Sequence, residues 1–352
     1  MEHKNITFQL YTILQLKDWL LHNADNSITD YMITHARAWA LINNPSASDD
    51  DIVLVAAFDE DKSIGYTALF PDNFQKPQLE GTFYWGTTQW IEPEYRGKGI
   101  SAKMMLLMKD TINHRYIGLD SSAASCRLDQ KQGYKISYYP RYFYVWSKDH
   151  LNLIGKLKRY YVQIVNRKVI NRLAVYTYTN RFINYIDDFT YDFIRLHSQT
   201  NLFLRSKEML NWQIHYPFVQ VVTRDSHLEK EQCEVGAYVN SHKNDIVQVY
   251  YDGKLCGVYV LNIIDGACLV QYLYYEEDYK ENVFASLAVN VLQSKVIRFR
   301  TFNKELFDFM GAHGIKNLNS KFNIEQVSLT IPPDMEIDDS LAIQGGDGDM
   351  FS

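Results

Sequence analysis

The sequence predicts an α+β (α/β mixed) fold in two tandem copies, and three observations carry that expectation. Residues 52–70 read as a β-hairpin, residues 82–112 run strand, glycine loop, helix, and a weaker echo of the same order returns from residue 245. At 352 residues, 46% apolar and 22% charged, the chain is long enough for two cores and too apolar for disorder.

The elements follow in chain order. Apolar residues recur at three and four over Leu10 to Leu21 and Thr29 to Leu41, as in amphipathic helices, before a loop at Asn44 to Asp51. Ile52 to Phe58 and Gly65 to Phe70 flank the turn Asp59-Glu60-Asp61-Lys62. Thr82 to Ile91 is a third strand, stopped at Pro93, which has no ladder donor. Arg96-Gly97-Lys98-Gly99-Ile100-Ser101 then opens a helix through Ile112. A strand at Ile117 to Leu119, a short helix Ala123 to Gln132 ended by Gly133, and a strand Lys135 to Trp146 close a first domain over 1–148.

A connector, 149–186, follows. From 151 to 186 it has seven basic residues, Lys156, Lys158, Arg159, Arg167, Lys168, Arg172 and Arg181, and no acid. Such a stretch either docks on anionic membrane or a phosphorylated substrate, or is an interdomain helix with a solvated face. In a second, degenerate domain over 187–331, Asp245-Ile246-Val247, Asp252-Gly253-Lys254 and Gly257-Val258-Tyr259 echo the first hairpin. Leu269 to Tyr275 leads to a helix reaching Leu292, Val296 to Phe302 answers Tyr116 to Ser121, and Glu305 to Gly314 answers Arg127 to Gly133. The glycines of the loop are absent from the second copy.

The 36 Lys and Arg against 42 Asp and Glu give a net charge of −6. Six of those acids, Asp334, Glu336, Asp338, Asp339, Asp347 and Asp349, lie in the tail 332–352, so the body is neutral and has no general field for long nucleic acid. The tail is expected to be solvated and disordered, or else to fold back on the basic connector. Cys126, Cys233, Cys256 and Cys268 show no zinc or redox spacing and read as reduced core thiols, with no metal site. The N-terminus lacks the plan of a signal peptide and no apolar run reaches a spanning length, which together predict a cytoplasmic protein.

Between a strand and a helix, Arg96 to Ser101 offers backbone N–H groups at a helix N-terminus, where the orphan donors and the dipole favour an anion. Gly97 and Gly99 permit close approach, and Arg96 and Lys98 add charge. The loop lacks the endings of a nucleoside-triphosphate loop and of a dinucleotide fingerprint. Here the sequence resembles the GNAT N-acetyltransferase superfamily, whose pyrophosphate loop places Arg or Gln, two residues, Gly, one residue, then Gly or Ala. Arg96, Gly99 and Ser101 stand at those positions, with Ser101 a small departure, and Ile91 to Tyr95 and Leu128 to Tyr134 also match the family order.

The resemblance implies a central mixed, mostly antiparallel β-sheet flanked by helices. It implies acetyl-CoA (acyl-CoA) as cofactor, held by Arg96, Gly97, Lys98, Gly99, Ile100 and Ser101, with the pantetheine beside a splayed strand end at Trp90 and Ile91. A backbone N–H there would stabilise an oxyanion while a substrate amine attacks the thioester. Where the family often has a proton-donating Tyr this chain has Asp129, the candidate acid, with a solvated helix residue as the alternative. Glu80 is the candidate base; Glu92, Glu94, His114 or a water chain are alternatives, and each carboxylate also reads as a surface residue. Arg205 and Trp212 are candidate acceptor contacts, or in the case of Trp212 a core residue.

The resemblance implies an N-acyltransferase acting on a primary amine of a small molecule, and its two-lobed members suggest a nucleotide-linked amino sugar. Aminoacyl transfer from charged tRNA and a non-catalytic binding module remain the other readings. The expected partners are the amine acceptor and, through 151–181, a membrane surface, without nucleic acid or a transmembrane segment.

Overall fold

The computed structural model describes residues 6–22, 33–76, 79–147, 153–222, 238–294, 296–318, 323–338 and 340–348. Half-buried Ile6, Phe8 and Leu10 alternate with exposed Thr7 and Gln9, so the chain opens with β1 (Ile6–Thr12). The expected first helix begins only at Ile13. Thr12 N–H donates to Gln15 Oε1 at 2.9 Å and Gln15 N–H to Thr12 Oγ1 at 3.2 Å, a reciprocal cap that starts α1 (Ile13–His22). The described part of the next expected helix is α2 (His35–Ile42); residues 29–32 lie outside the described residues.

β2 (Ile52–Asp59), β3 (Lys62–Asn73) and β4 (Thr82–Ile91) form an antiparallel meander. A 3₁₀ turn at Pro93–Tyr95 leads to α3 (Ile100–Thr111), β5 (Tyr116–Leu119), α4 (Ala123–Lys131) and β6 (Lys135–Val145). The connector is not one helix to residue 186: α5 (Leu153–Leu173) ends early, and β7 (Thr179–Ile183) is an edge strand antiparallel to a later strand. Then come α6 (Asp188–Leu196), α7 (Lys207–His215), and β8 (Gln220–Val221) with β9 (Tyr238–Val239) as a small parallel pair. β10 (His242–Tyr251), β11 (Lys254–Ile264), β12 (Ala267–Tyr275), a 3₁₀ turn at Glu277–Tyr279, α8 (Lys280–Gln293), β13 (Arg298–Thr301), α9 (Lys304–Ala312) and β14 (Ile324–Ile331) complete the order.

Among the described residues, twelve strands make one sheet in the order β1-β2-β3-β4-β5-β14-β6-β13-β12-β11-β10-β7. From either side the pairings read alike: three antiparallel pairs, then a parallel one, between β4 and β5 and between β12 and β13. The strands then cross over, with β14 beside β5 and β6 beside β13. Each meander also has a bulge at the matching place. Ala68 faces Thr88 and Leu69 faces Gly86, leaving Thr87 extra, while Val260 faces Tyr272 and Leu261 faces Val270, leaving Gln271 extra.

The two sides share a core. Trp212 of α7 is buried against Phe70 and Phe218 and donates Nε1–H to Ala40 O at 2.8 Å, so it packs rather than facing a cleft. The described tail residues also differ from the expectation. Residues 343–348 are buried, and the tail follows Ser198–Leu202 through Ala342 N–H to Thr200 O and Leu202 N–H to Ala342 O, both 2.8 Å. Gly346 N–H donates to Gln271 O at 2.7 Å and Leu273 N–H to Gln344 Oε1 at 2.8 Å. A Cβ at Gly345 or Gly346 would collide with Val270 O or the Tyr272 ring, so this close approach requires glycine. Asp347 accepts from Arg205 Nη1 at 2.8 Å, and Arg205 Nε donates to Asp72 Oδ2 at 2.7 Å, all three side chains buried. The described tail residues therefore meet Arg205, because a buried guanidinium needs counter-charge more than solvated lysines do.

Candidate active site

β4 and β5 are hydrogen-bonded neighbours only at Tyr84↔Tyr116 and Trp85↔Ile117. Beyond that point β4 continues with β3, whereas Gly118 and Leu119 pair with Thr330 and Leu329 of β14. The strands part, and a cleft of about 320 Å³ opens between them. Thr67, the bulge Gly86-Thr87-Thr88 and Gln89 line one side; Tyr116, Asp120, Ser121, Ser122 and Ser125 line the other, with Met105 of α3 at its floor. The opening begins at Gly86, earlier than the expected Trp90 and Ile91. Those two are paired with Tyr66 and Gly65, and Ile91 O accepts from Arg96 Nε at 2.9 Å, so they anchor the loop.

The loop is built as the sequence demands. Gly97 and Gly99 hold φ of +79° and +76°, and a Cβ on either would meet open space. Gly99 caps α3 without a side chain, so the cap supplies no side-chain acceptor to the first-turn N–H groups. Tyr95 fixes the approach, buried in the core with its hydroxyl donating to Asp59 Oδ2 at 2.7 Å, and Lys98 Nζ lies 4.8 Å from its ring centre. Gln89 Nε2 donates to Ser101 O at 3.2 Å, joining cleft and loop.

The Tyr116 side chain crosses the throat of the cleft. A Cβ at Gly86 would stand 2.6 Å from its hydroxyl and one at Gly118 2.7 Å, so both glycines make room for the ring. Ser121 is its polar neighbour, and burial, followed by the Asp129 charge, pushes the phenol well above its ordinary range. The hydroxyl therefore keeps its proton through neutral pH. Sequence reading missed this residue; the available signal was a Tyr on a short strand followed by Gly118 and the hydroxyl run Ser121-Ser122. It also missed Arg141, buried between Asp120 at 3.0 Å and Glu325 at 2.6 Å.

The two expected acid–base residues stand elsewhere. Asp129 is neither solvated nor on the cleft: its carboxylate is buried against Lys109 Nζ, with Thr330 Oγ1 at 3.4 Å. Lys109 lies 4.6 Å and 4.2 Å from the ring centres of Tyr116 and Tyr134, and burial pulls its pKa down. A carboxylate held by a buried ammonium is a structural partner and a poor proton donor. Glu80 precedes β4, at the opposite end from the loop, roughly 30 Å away along a ten-residue strand. It borders a separate cleft of about 460 Å³ with Phe83, Arg115 and Asp334, and its backbone oxygen accepts from Arg115. Among the alternatives, Glu92 and Glu94 pair with Lys62 at 2.7 and 3.6 Å, and His114 lies 3.5 Å from Asp110 on the surface. Arg205 is engaged by the internal carboxylates described above.

A mixed sheet flanked by helices, with central strands parting beside a glycine loop that opens a helix, is a GNAT-like fold. Residues 13–134 match the model of the Acetyltransferase (GNAT) family. No curated protein matches the chain by sequence. Among solved structures, the N-myristoyltransferase of Saccharomyces cerevisiae, determined with bound myristoyl-CoA, aligns over 99% of this chain and 83% of its own at 8% identity and a TM-score of 0.52, a likeness of fold alone. GCN5-related N-acetyltransferases from Kribbella flavida (13% identity, TM-score 0.48, 94% of this chain and 72% of that one) and Anabaena variabilis (10%, 0.47, 92% and 72%) are also similar.

Proposed function

We propose that this chain is an acyl-CoA-dependent N-acyltransferase that acylates a primary amine of a small polyhydroxylated molecule such as an amino sugar. The observation that carries the reading is the junction of two features: the uncapped, glycine-led start of α3 and the parted strands β4 and β5, tied together by Gln89 and Ser101. The first-turn N–H groups of α3, with Arg96 and Lys98, suit the pyrophosphate of acyl-CoA, which when bound supplies the activated acyl group. Tyr116 lines the cleft, and its hydroxyl, beside Gly86, is the O–H group placed to donate a proton there. Thr87, Thr88, Ser121, Ser122 and Ser125 offer donors and acceptors suited to sugar hydroxyls.

The strand order supports two lobes that exchange their last strands, the first holding acyl-CoA and the second shaping the acceptor side. Buried free thiols at Cys126, Cys256 and Cys268 suit a cytoplasmic setting. The test is acetyl transfer from acetyl-CoA to a panel of amino sugars and other amines, followed by thiol release and product mass, alongside melting in saturating acetyl-CoA. Acetylated product and a raised Tm are expected. A raised Tm without product from any amine would favour a non-catalytic module, and an unchanged Tm would overturn the acyl-CoA reading.

A further inference from the structure

The helix α5 has two unlike faces. Val162, Asn166, Val169 and Leu173 are buried, and Asn166 exchanges hydrogen bonds with Lys316, its Oδ1 accepting from Lys316 N–H at 2.8 Å. On a docked helix the face opposite such a stripe is ordinarily polar. Here it carries Leu153, Ile154, Leu157, Tyr160, Tyr161 and Ile164, five of them more than half exposed and Ile164 36% exposed. At 100° per residue these centre about 150° round the helix from the buried stripe. Lys156 and Arg167 flank them on one side and Lys158 on the other, Lys168 lies among them, and the helix contains no acid. Among the described residues, none of these four cations has a carboxylate within 4 Å.

We propose that this outer face of α5 is a docking surface for an anionic lipid membrane, on which the protein lies without crossing it. An apolar strip edged by lysine and arginine, with tyrosines that keep one polar tip, matches the boundary between headgroups and acyl chains. The charge selects the occupant. Two copies packed face to face would bring six basic residues of α5 against six more with no acid between them, whereas phosphate headgroups neutralise both the flanks and Lys168. Among the described residues no helix is long and apolar enough to cross a membrane, which fits a helix lying on the surface.

The experiment is co-sedimentation of the full chain with vesicles of phosphatidylglycerol or of phosphatidylcholine alone. Binding to the anionic vesicles is expected, falling about tenfold or more between roughly 0.05 M and 0.5 M salt, with negligible binding to the neutral ones. Two variants, Leu157→Gln with Tyr161→Gln and Lys156→Glu with Lys168→Glu, change exposed side chains and keep the melting temperature while each lowers binding about tenfold. No binding to anionic vesicles at low salt overturns the proposal. So does a concentration-dependent dimer in sedimentation velocity that the Leu157 and Tyr161 changes abolish while vesicle binding is unaffected, since the face would then serve a second copy.

Discussion

Replacing Tyr116 by Phe removes one oxygen from the throat and nothing else. The ring keeps its place because Gly86 and Gly118, which would crowd its hydroxyl at 2.6 and 2.7 Å if they bore a Cβ, still frame it. The loss to the fold is one neutral polar contact, with Ser121, worth about 1 kcal/mol and a fall in Tm of about 2–4 °C. A positioned proton donor contributes about 10²–10⁴ in rate, or roughly 3–5 kcal/mol of barrier, which exceeds the stability term. The assay measures thiol release from acetyl-CoA with a productive amine, and separately the dissociation constant for acetyl-CoA. The expected result is kcat down about a hundredfold or more with acetyl-CoA affinity within about threefold of wild type. Because burial holds the phenol above its ordinary range, wild-type kcat should show no alkaline fall from this group below about pH 9. A Tyr116→Phe enzyme with kcat within about threefold of wild type would refute the assignment.

Gly99→Val meets no atom but must adopt φ of +76°, a strain of about 1–2 kcal/mol, so acetyl-CoA affinity should fall about tenfold and the ligand-induced rise in Tm should shrink with it. Asp129→Asn leaves Lys109 buried without its carboxylate and should cost about 3–5 kcal/mol in urea unfolding, with kcat of the folded fraction little changed; unaltered stability with collapsed kcat would restore Asp129 as the acid. Burial raises Asp347 from the ordinary 3.8 to about 6, so the folded state binds the proton more tightly. The stability from that linkage is complete below about pH 4 and is lost as pH rises through 6, on the order of 1–3 kcal/mol. Asp347→Asn should therefore gain on wild type as pH rises from about 4 to 6, and a flat difference across that range would contradict it.

The first lobe's elements were legible because their signals are local. Thr82 to Ile91 alternates until Pro93, Gly133 at φ +86° ends α4, and the loop carries its own glycines. β1 was hidden because its apolar residues run straight into those of α1, and the cap formed by Thr12 and Gln15 is easily overlooked. The crossing of β6 and β14 is a pairing of segments far apart in sequence, for which no residue pattern speaks. Tail acidity suggested solvation, yet Asp347 is held by Arg205, whose other partner Asp72 lies in β3. At the site, the anion loop was readable while the throat was not, because Gly86, Tyr116 and Gly118 meet only where two strands part. Asp129 was misread for a related reason: its ammonium partner sits on α3.

The repeated strand order raises the question of whether the second side offers a second site of the kind proposed for the first. β12 and β13 part after Leu269↔Arg300 as β4 and β5 do, and Gln271 repeats the bulge. Two features oppose a second site. The chain's own Gln344–Gly346 segment lies in that opening, bonded to Gln271 O and Leu273 N–H. In addition, α8 begins after Glu276, Glu277 and Asp278 with Glu281 in its first turn, so carboxylates stand where pyrophosphate would need donors and positive charge. The helix dipole that favours an anion at α3 is already offset at α8. Titration calorimetry should therefore give one acetyl-CoA per chain, and Gly99→Val should weaken that single event and leave no residual tight site. Two equivalent binding events in the wild type, or one surviving unchanged in Gly99→Val, would show that the tail does not close the second cleft and that its acids do not repel the ligand.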